Sequence, residues 1–344
     1  MQIMQAHIRG GGRGTVSRYL AILFVSLVVL PVRAAHLVTQ TFDLQPGWNA
    51  VYLEVAPETN TTVSVFGGLP LGSAWTWVNQ GEPTEFFQDL TEQMHTDPHW
   101  LVFFPTNRYE SMFNDLYRVH ANKPYFLRIE GTSNVAWQVT GRPAVPRAAW
   151  APNTYNLVGF GLDPAAAQPA FDVFFGVSSV LSNRPVYQLN AAGSWTLVAD
   201  PTGASPAAGA CLWAYADGDT DFLGLLDVSV AQGDGLDYGG TLTEQTVRIE
   251  NRAAAEATVT ISDVTGPGGP LAYRHYDTNA IDFVWLPLPD PLTVALDAGS
   301  AYDLRLAVCR EAFAAEVYET TLQIISDHGA RYRVPLSATV SESR

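Results

Sequence analysis

The stretch that decides the fold is written twice, as "LQPGWNAVYLEV" at 44–55 and as "WAPNTYNLVGFGL" at 150–162. In each, an aromatic residue and an asparagine (Trp48-Asn49, Tyr155-Asn156) open a run of alternating apolar residues, with Val51 matching Val158 and Pro57 matching Pro164. Such alternation, rich in β-branched and aromatic residues, is expected of a strand. The correspondence continues downstream in the same order. "VSVFGGL" faces "FDVFFGV", "WTWVN" (75–79) faces "VYQLN" (186–190), and "ANKPYFLRI" (121–129) faces "AAGACLWAY" (207–215). Individually weak matches in one shared order mark a tandem duplication. An asparagine at a strand entrance is expected to bond its own turn, so its recurrence points to structure rather than chemistry.

Working outward, "NAVYLEV", "AWTWVNQ", "WLVFFP", "PYFLRI" and "VAWQVTG" read as strands of the first copy. "YNLVGFGL", "VYQLN", "SWTLVAD", "CLWAYA" and "FLGLLDV" read as strands of the second. Turn-forming stretches such as "EGTSN", "NAAGS" and "DPTGASP" separate them. The apolar pieces at 63–69 and 171–181 are candidates for short helices. The first copy also carries an acidic, aromatic excursion over about 81–99. From 239 the texture changes to short alternating runs with few helix formers in register, which predicts an immunoglobulin-like sandwich. The fold class expected is therefore all-β: a signal segment (1–34), two tandem related small β-modules (35–145 and 146–238), then an immunoglobulin-like β-sandwich (239–344).

Two family resemblances accompany this reading. "VRIENRAAAEATVTISDV" and "VYETTLQIISDHGARYRVPLSATV" together resemble the small immunoglobulin-like modules of the ASH and Hydin type. That resemblance implies a spacer or adhesion role and carries no catalytic residue. The two N-terminal copies are similar to GWN-type β-modules of secreted bacterial surface proteins, although the second copy has Thr154-Tyr155 where the motif has Gly-Trp.

The N-terminus sets the compartment expected. Arg9, Arg13 and Arg18 precede an apolar run from Tyr19 to Val32, which is shorter than the roughly 20 residues a spanning helix requires. Val32 and Ala34 suit the −3 and −1 positions of a cleavage site, so a secreted, periplasmic or cell-surface protein is expected, with no membrane insertion after signal cleavage. The formal charge is −15. So acidic a chain repels phosphates and disfavours a nucleic-acid partner. Cys211 and Cys309 lie in separate apolar runs and read as two buried free thiols, a disulfide being the alternative in an exported protein.

No nucleophile elbow, zincin helix, P-loop or dinucleotide fingerprint is present in the sequence. Trp75 and Trp77 stand two apart, so both rings share one face of a strand. With Trp100 they form a candidate platform for stacking sugar rings, and Asn79 and Glu82 are candidates to bond hydroxyls. Core packing is the alternative, because tryptophan is heavily buried on average. Asp217, Asp219 and Asp221 in "DGDTD" resemble the start of a calcium loop, but Phe222 and Val228 occupy the positions where an EF-hand needs Gly and Glu. A looser calcium site and a plain hairpin tip both remain as readings, and no other cofactor is expected. His95, Asp97 and His99 alternate as zinc ligands could, although Pro98 interrupts them. Glu54, Glu82, Glu85 and Asp89 sit among the aromatics of the first copy, but the sequence gives no separation between them, so the carboxylate pair of a glycoside hydrolase is not assigned. The expectation is a non-catalytic binding module, with a polysaccharide or a surface protein as partner. A structural spacer or a fragment of a larger adhesion protein is the rival, and a secreted hydrolase ranks third.

Overall fold

The computed structural model describes residues 37–78, 98–266 and 268–340. The first repeat contains β1 (Val38–Leu44), β2 (Gly47–Leu53), β3 (Val55–Pro57), helix α1 (Thr62–Phe66), β4 (Leu71–Trp77), β5 (Trp100–Phe103), β6 (Lys123–Ile129) and β7 (Val135–Pro143). Four strands form an antiparallel sheet in the order β2-β6-β4-β5, and three form a second sheet, β1-β7-β3. Leu44, Leu53, Phe66, Leu127 and Trp137 belong to the core that joins the two sheets and α1. Thr61 caps α1 by accepting a hydrogen bond from Ser64 N, the usual task of a β-hydroxyl at a helix start.

The second repeat contains β8 (Thr154–Val158), helix α2 (Phe171–Gly176), β9 (Val186–Leu189), β10 (Trp195–Leu197) and β11 (Leu212–Ala216). Its sheet runs β8-β11-β9-β10. With β8 standing for β2, β11 for β6, β9 for β4 and β10 for β5, the two orders coincide, which establishes the duplication at the level of topology. Strand register makes it residue-specific. Asn49 lies opposite Leu127 and Asn156 opposite Ala214, while Phe126 faces Trp75 and Trp213 faces Tyr187. Trp100 faces Trp77, and Trp195 faces Leu189. Phe126 therefore corresponds to Trp213, Trp75 to Tyr187, Trp77 to Leu189 and Trp100 to Trp195. The sequence match of 75–79 with 186–190 is one residue out of step, as is that of 121–129 with 207–215. A slip of one residue exchanges the two faces of a strand, so Tyr187 and Leu189, not Val186 and Gln188, hold the places of the two tryptophans.

The C-terminal region is an immunoglobulin-like sandwich of ten described strands: β12 (Leu226–Val230), β13 (Leu236–Asp237), β14 (Glu244–Asn251), β15 (Ala257–Asp263), β16 (Leu271–Asp277), β17 (Asp282–Pro287), β18 (Leu292–Leu296), β19 (Ala301–Val308), β20 (Val317–Ser326) and β21 (Arg331–Thr339). One sheet runs β12-β14-β19-β16-β17 and the other β13-β21-β20-β15-β18. The sandwich draws strands from before residue 239. "FLGLLDV", expected in the second repeat, gives Leu226 and Val228 to the sandwich core and pairs with β14. Tyr238 is buried there too, its hydroxyl donating to Leu306 O at 2.9 Å. Strands β16 and β17 left little trace in the sequence, because β17 is exposed along most of its length and so lacks an apolar alternation.

The expected signal segment 1–34 lies outside the described residues, as do Asn79, Glu82, Glu85, Asp89, His95 and Asp97. No helix among the described residues is long and apolar enough to cross a membrane. Both cysteines are free thiols. Cys211 is buried as expected, but Cys309 is exposed, because β19 ends at Val308 and the following residue leaves the alternation.

Candidate functional site: a groove between the repeats

The four-stranded sheets of the two repeats contribute their second faces to one aromatic cluster. From the first repeat come Trp75, Trp77, Trp100 and Phe126, and from the second Leu157, Trp195 and Trp213. Trp213 is the hub, meeting Trp77, Trp100 and Trp195 edge to face at 5.7, 6.0 and 6.3 Å between ring centroids. Edge-to-face contact places the positive rim of one ring on the negative face of another, and each such pair adds about 1 kcal/mol to the area buried.

Of the two readings of these rings, core packing and a sugar platform, the burial fits the core. Trp75, Trp77 and Trp100 retain only 5%, 6% and 2% of their surface, whereas stacking on a sugar needs an open ring face. The sequence identified the shared face correctly. Period-two alternation identifies a face without saying what covers it, and here the cover is the other repeat. Trp75 Nε1 donates to Ser73 Oγ at 2.9 Å.

Asn49 and Asn156 do what was expected of them, in the same way. Asn49 Oδ1 accepts from Gln45 N, and its Nδ2 donates to Gln45 O and Gly47 O. Asn156 Oδ1 accepts from Ala151 N, and its Nδ2 donates to Ala151 O and Thr154 O. Each side chain closes its own strand-entry turn as a backbone surrogate. The glycines of "GFGL" explain the rest of the motif. A Cβ on Gly159 would lie 2.2 Å from the Tyr52 ring, and one on Gly161 would lie 2.6 Å from Arg331 O. The second repeat thus passes close to the first repeat at one glycine and to the sandwich at the other.

Glu54 sits at this junction. Its carboxylate accepts from Arg331 at 3.2 and 3.3 Å and from Arg333 at 3.3 Å, linking the first repeat to β21. Burial pushes the Glu54 carboxyl above its ordinary range, against the pull of the two arginines. A carboxylate held by two guanidinium groups ties the first repeat to the sandwich.

Two of the three "DGDTD" carboxylates are engaged as well. Asp217 pairs with Arg184, and Asp221 pairs with Arg252 at 3.0 Å. Among the described residues, no three His, Cys, Asp or Glu side chains are grouped so as to hold a metal ion. Asp219 is exposed.

What the inter-repeat core leaves open lies at its rim. Asp43, Gln45, Trp48, Asn49, Gln188 and Asn190 are among the residues lining a groove of about 340 Å³ between the repeats. Trp48 is half-buried. The Arg128 guanidinium stands 6.0 Å from its ring centroid, and Gly193 of the second repeat brings its turn against the Trp48 side chain. Asn190 Oδ1 accepts from Ala192 N and Ser194 N, while its Nδ2 makes no hydrogen bond among the described residues. Sequence reasoning noted Trp48 only as a repeat marker. Its neighbours in the groove come from a segment some 140 residues away, so the sequence carried no signal of the groove.

No family model matches this chain, and no curated protein matches it. Solved structures with a likeness include the human CEP192 ASH/PapD-like domain 7, at 11% identity and TM-score 0.23, covering 35% of this chain and 87% of that one. The CsuC-CsuE chaperone–tip adhesion subunit complex of Acinetobacter baumannii matches at 16% identity and TM-score 0.20, over 31% of this chain and 49% of that one. The Enterococcus faecalis MSCRAMM ACE matches at 6% identity and TM-score 0.20, over 89% and 90%. At these scores the likenesses carry no argument about activity. An immunoglobulin-like β-domain rests on the chain's own sheet order, and the likeness to GWN-type modules rests on the residues quoted for it.

Proposed function

We propose that this chain is an exported, non-catalytic binding module of the cell surface or periplasm that takes a carbohydrate in the groove between its repeats. The observation that supports this reading is the composition of that groove. One half-buried indole, Trp48, lies beside amides from both repeats and the Asp43 carboxylate. An apolar ring with a few polar groups around it suits a sugar, which offers one apolar face and a rim of hydroxyls. The volume lies near the lower end of the roughly 300–1,000 Å³ typical of small-ligand sites. Neither calcium nor any other cofactor is part of this reading.

Retention of the full chain on soluble and insoluble polysaccharides, with and without calcium, tests it. Trp48→Ala is expected to lose retention at least ten-fold while its melting temperature stays within a few degrees of wild type. Equal retention of wild type and Trp48→Ala would remove the groove from the mechanism. No retention on any polysaccharide would favour the spacer reading, which draws on the Glu54 tie between the first repeat and the sandwich.

A further inference from the structure

The two repeats treat one strand edge differently. In the first, β5 is the outermost strand of its sheet, and the chain returns along it at Asn114–Leu116. Val102 O accepts from Asp115 N at 3.1 Å and from Leu116 N at 3.0 Å. Val102 N donates to Asp115 Oδ1, and Phe104 N donates to Asn114 Oδ1, both at 2.6 Å. Asn114 Nδ2 completes the set by donating to Phe104 O at 2.9 Å. Leu116, 3% exposed, enters the core beside Phe66 and Phe103. The strap then continues to the start of α1, where Thr62 N donates to Tyr117 O.

In the second repeat the connection is shorter: 199–211 stand where 104–124 stand in the first. Its loop still reaches the start of α2, where Phe171 N donates to Ala204 O. It does not return along β10. Leu197 corresponds to Val102 by register. Because Val198 N donates to Val186 O, the strand's alternation turns the Leu197 N–H and C=O away from β9. Neither has a hydrogen-bond partner among the described residues. Leu197 is 52% exposed, and beside it lies a groove of about 340 Å³ lined by Phe171, Phe175, Leu181, Val186, Val198 and other residues.

We infer that the β10 edge is a docking site for an extended peptide segment of a partner protein, bearing a leucine-like residue after an Asn-Asp pair. The occupant's chemistry is read from what fills the equivalent place in the first repeat. Its backbone pairs with Leu197, its carboxamide and carboxylate cap the outward N–H groups, and its apolar side chain enters the groove between α2 and β10. Strand addition of this kind takes affinity from main-chain hydrogen bonds and selectivity from the side-chain pocket. An uncovered apolar edge is otherwise a liability that folded proteins guard against. The inference stands apart from the carbohydrate groove, with which it shares no residue.

The test uses a fluorescein-labelled peptide of sequence SMFNDLYR, copied from residues 111–118, titrated with the full chain and read by anisotropy. Saturable binding is expected. It should weaken at least ten-fold in Leu197→Pro, which removes one outward N–H, and in the peptide whose leucine is replaced by aspartate. Leu197→Glu keeps the N–H but charges the groove rim, and serves as a second variant should proline disturb the fold; thermal melts of both report on folding. No saturable binding, or equal binding by wild type and both folded variants, overturns the inference. A concentration-dependent dimer of the chain that Leu197→Pro dissolves would replace the partner by a second copy, and also overturns it.

Discussion

The two repeats build the same four-stranded sheet and finish it in different ways. In the first, the face turned from the second repeat is covered by a sheet of the repeat's own, β1-β7-β3. Among the described residues the second has no such sheet. Its corresponding core is aromatic, with Phe160, Phe174 and Phe222 packed edge to face and Phe171 stacked on Phe175, and the sandwich contributes Ala253 to it. The difference teaches that the unit kept by duplication is a sheet with one aromatic face. What covers the other face was free to change, because any apolar surface of matching shape removes it from water equally well.

The largest test of this comparison is the shared face. Trp213→Ala is expected to cost about 4 kcal/mol by denaturant unfolding, the upper range for truncating a buried aromatic, because its ring joins both repeats. A cost below about 1 kcal/mol would mean that the two sheets do not share a core. The junction with the sandwich comes next. Glu54→Ala leaves Arg333 buried without its carboxylate and Arg331 with only Asp163 at 3.9 Å, and is expected to cost about 3 kcal/mol. The second repeat has Gly161 at the corresponding place, so no equivalent substitution exists there. A cost within experimental error would show that the tie between first repeat and sandwich is dispensable.

The smallest effect sharpens the comparison most. Asn49 and Asn156 make the same three hydrogen bonds, but Asn156 is fully buried whereas Asn49 is half-buried. Asn156→Ala should cost about 2–3 kcal/mol and Asn49→Ala about 1 kcal/mol, since the turn's stranded backbone groups can reach water only in the first repeat. Reversal of that order, measured by the same unfolding experiment, would show that burial does not set the cost of losing the turn.

Much of this was legible in the sequence. The duplication, most of the repeat strands, both short helices and the all-β sandwich follow from alternation and turn chemistry, which are local. The errors have one cause. "WTWVN" against "VYQLN" was aligned by residue likeness, and the true register differs by one because it is fixed by pairing with a distant strand. Leu226–Val230 reads as a strand in either neighbourhood, and only its partner β14 decides which sheet it joins.

By itself the sequence determined which residues share a face, where the chain turns and why Asn49 and Asn156 recur, since each depends on atoms a few residues apart. Tertiary structure decided what covers each face. It put Trp75, Trp77 and Trp100 in a core, left Trp48 at the rim of a groove, and, among the described residues, left the β10 edge open where β5 is closed. Burial is a property of two surfaces brought together from distant parts of the chain, and alternation along one strand describes only one of them.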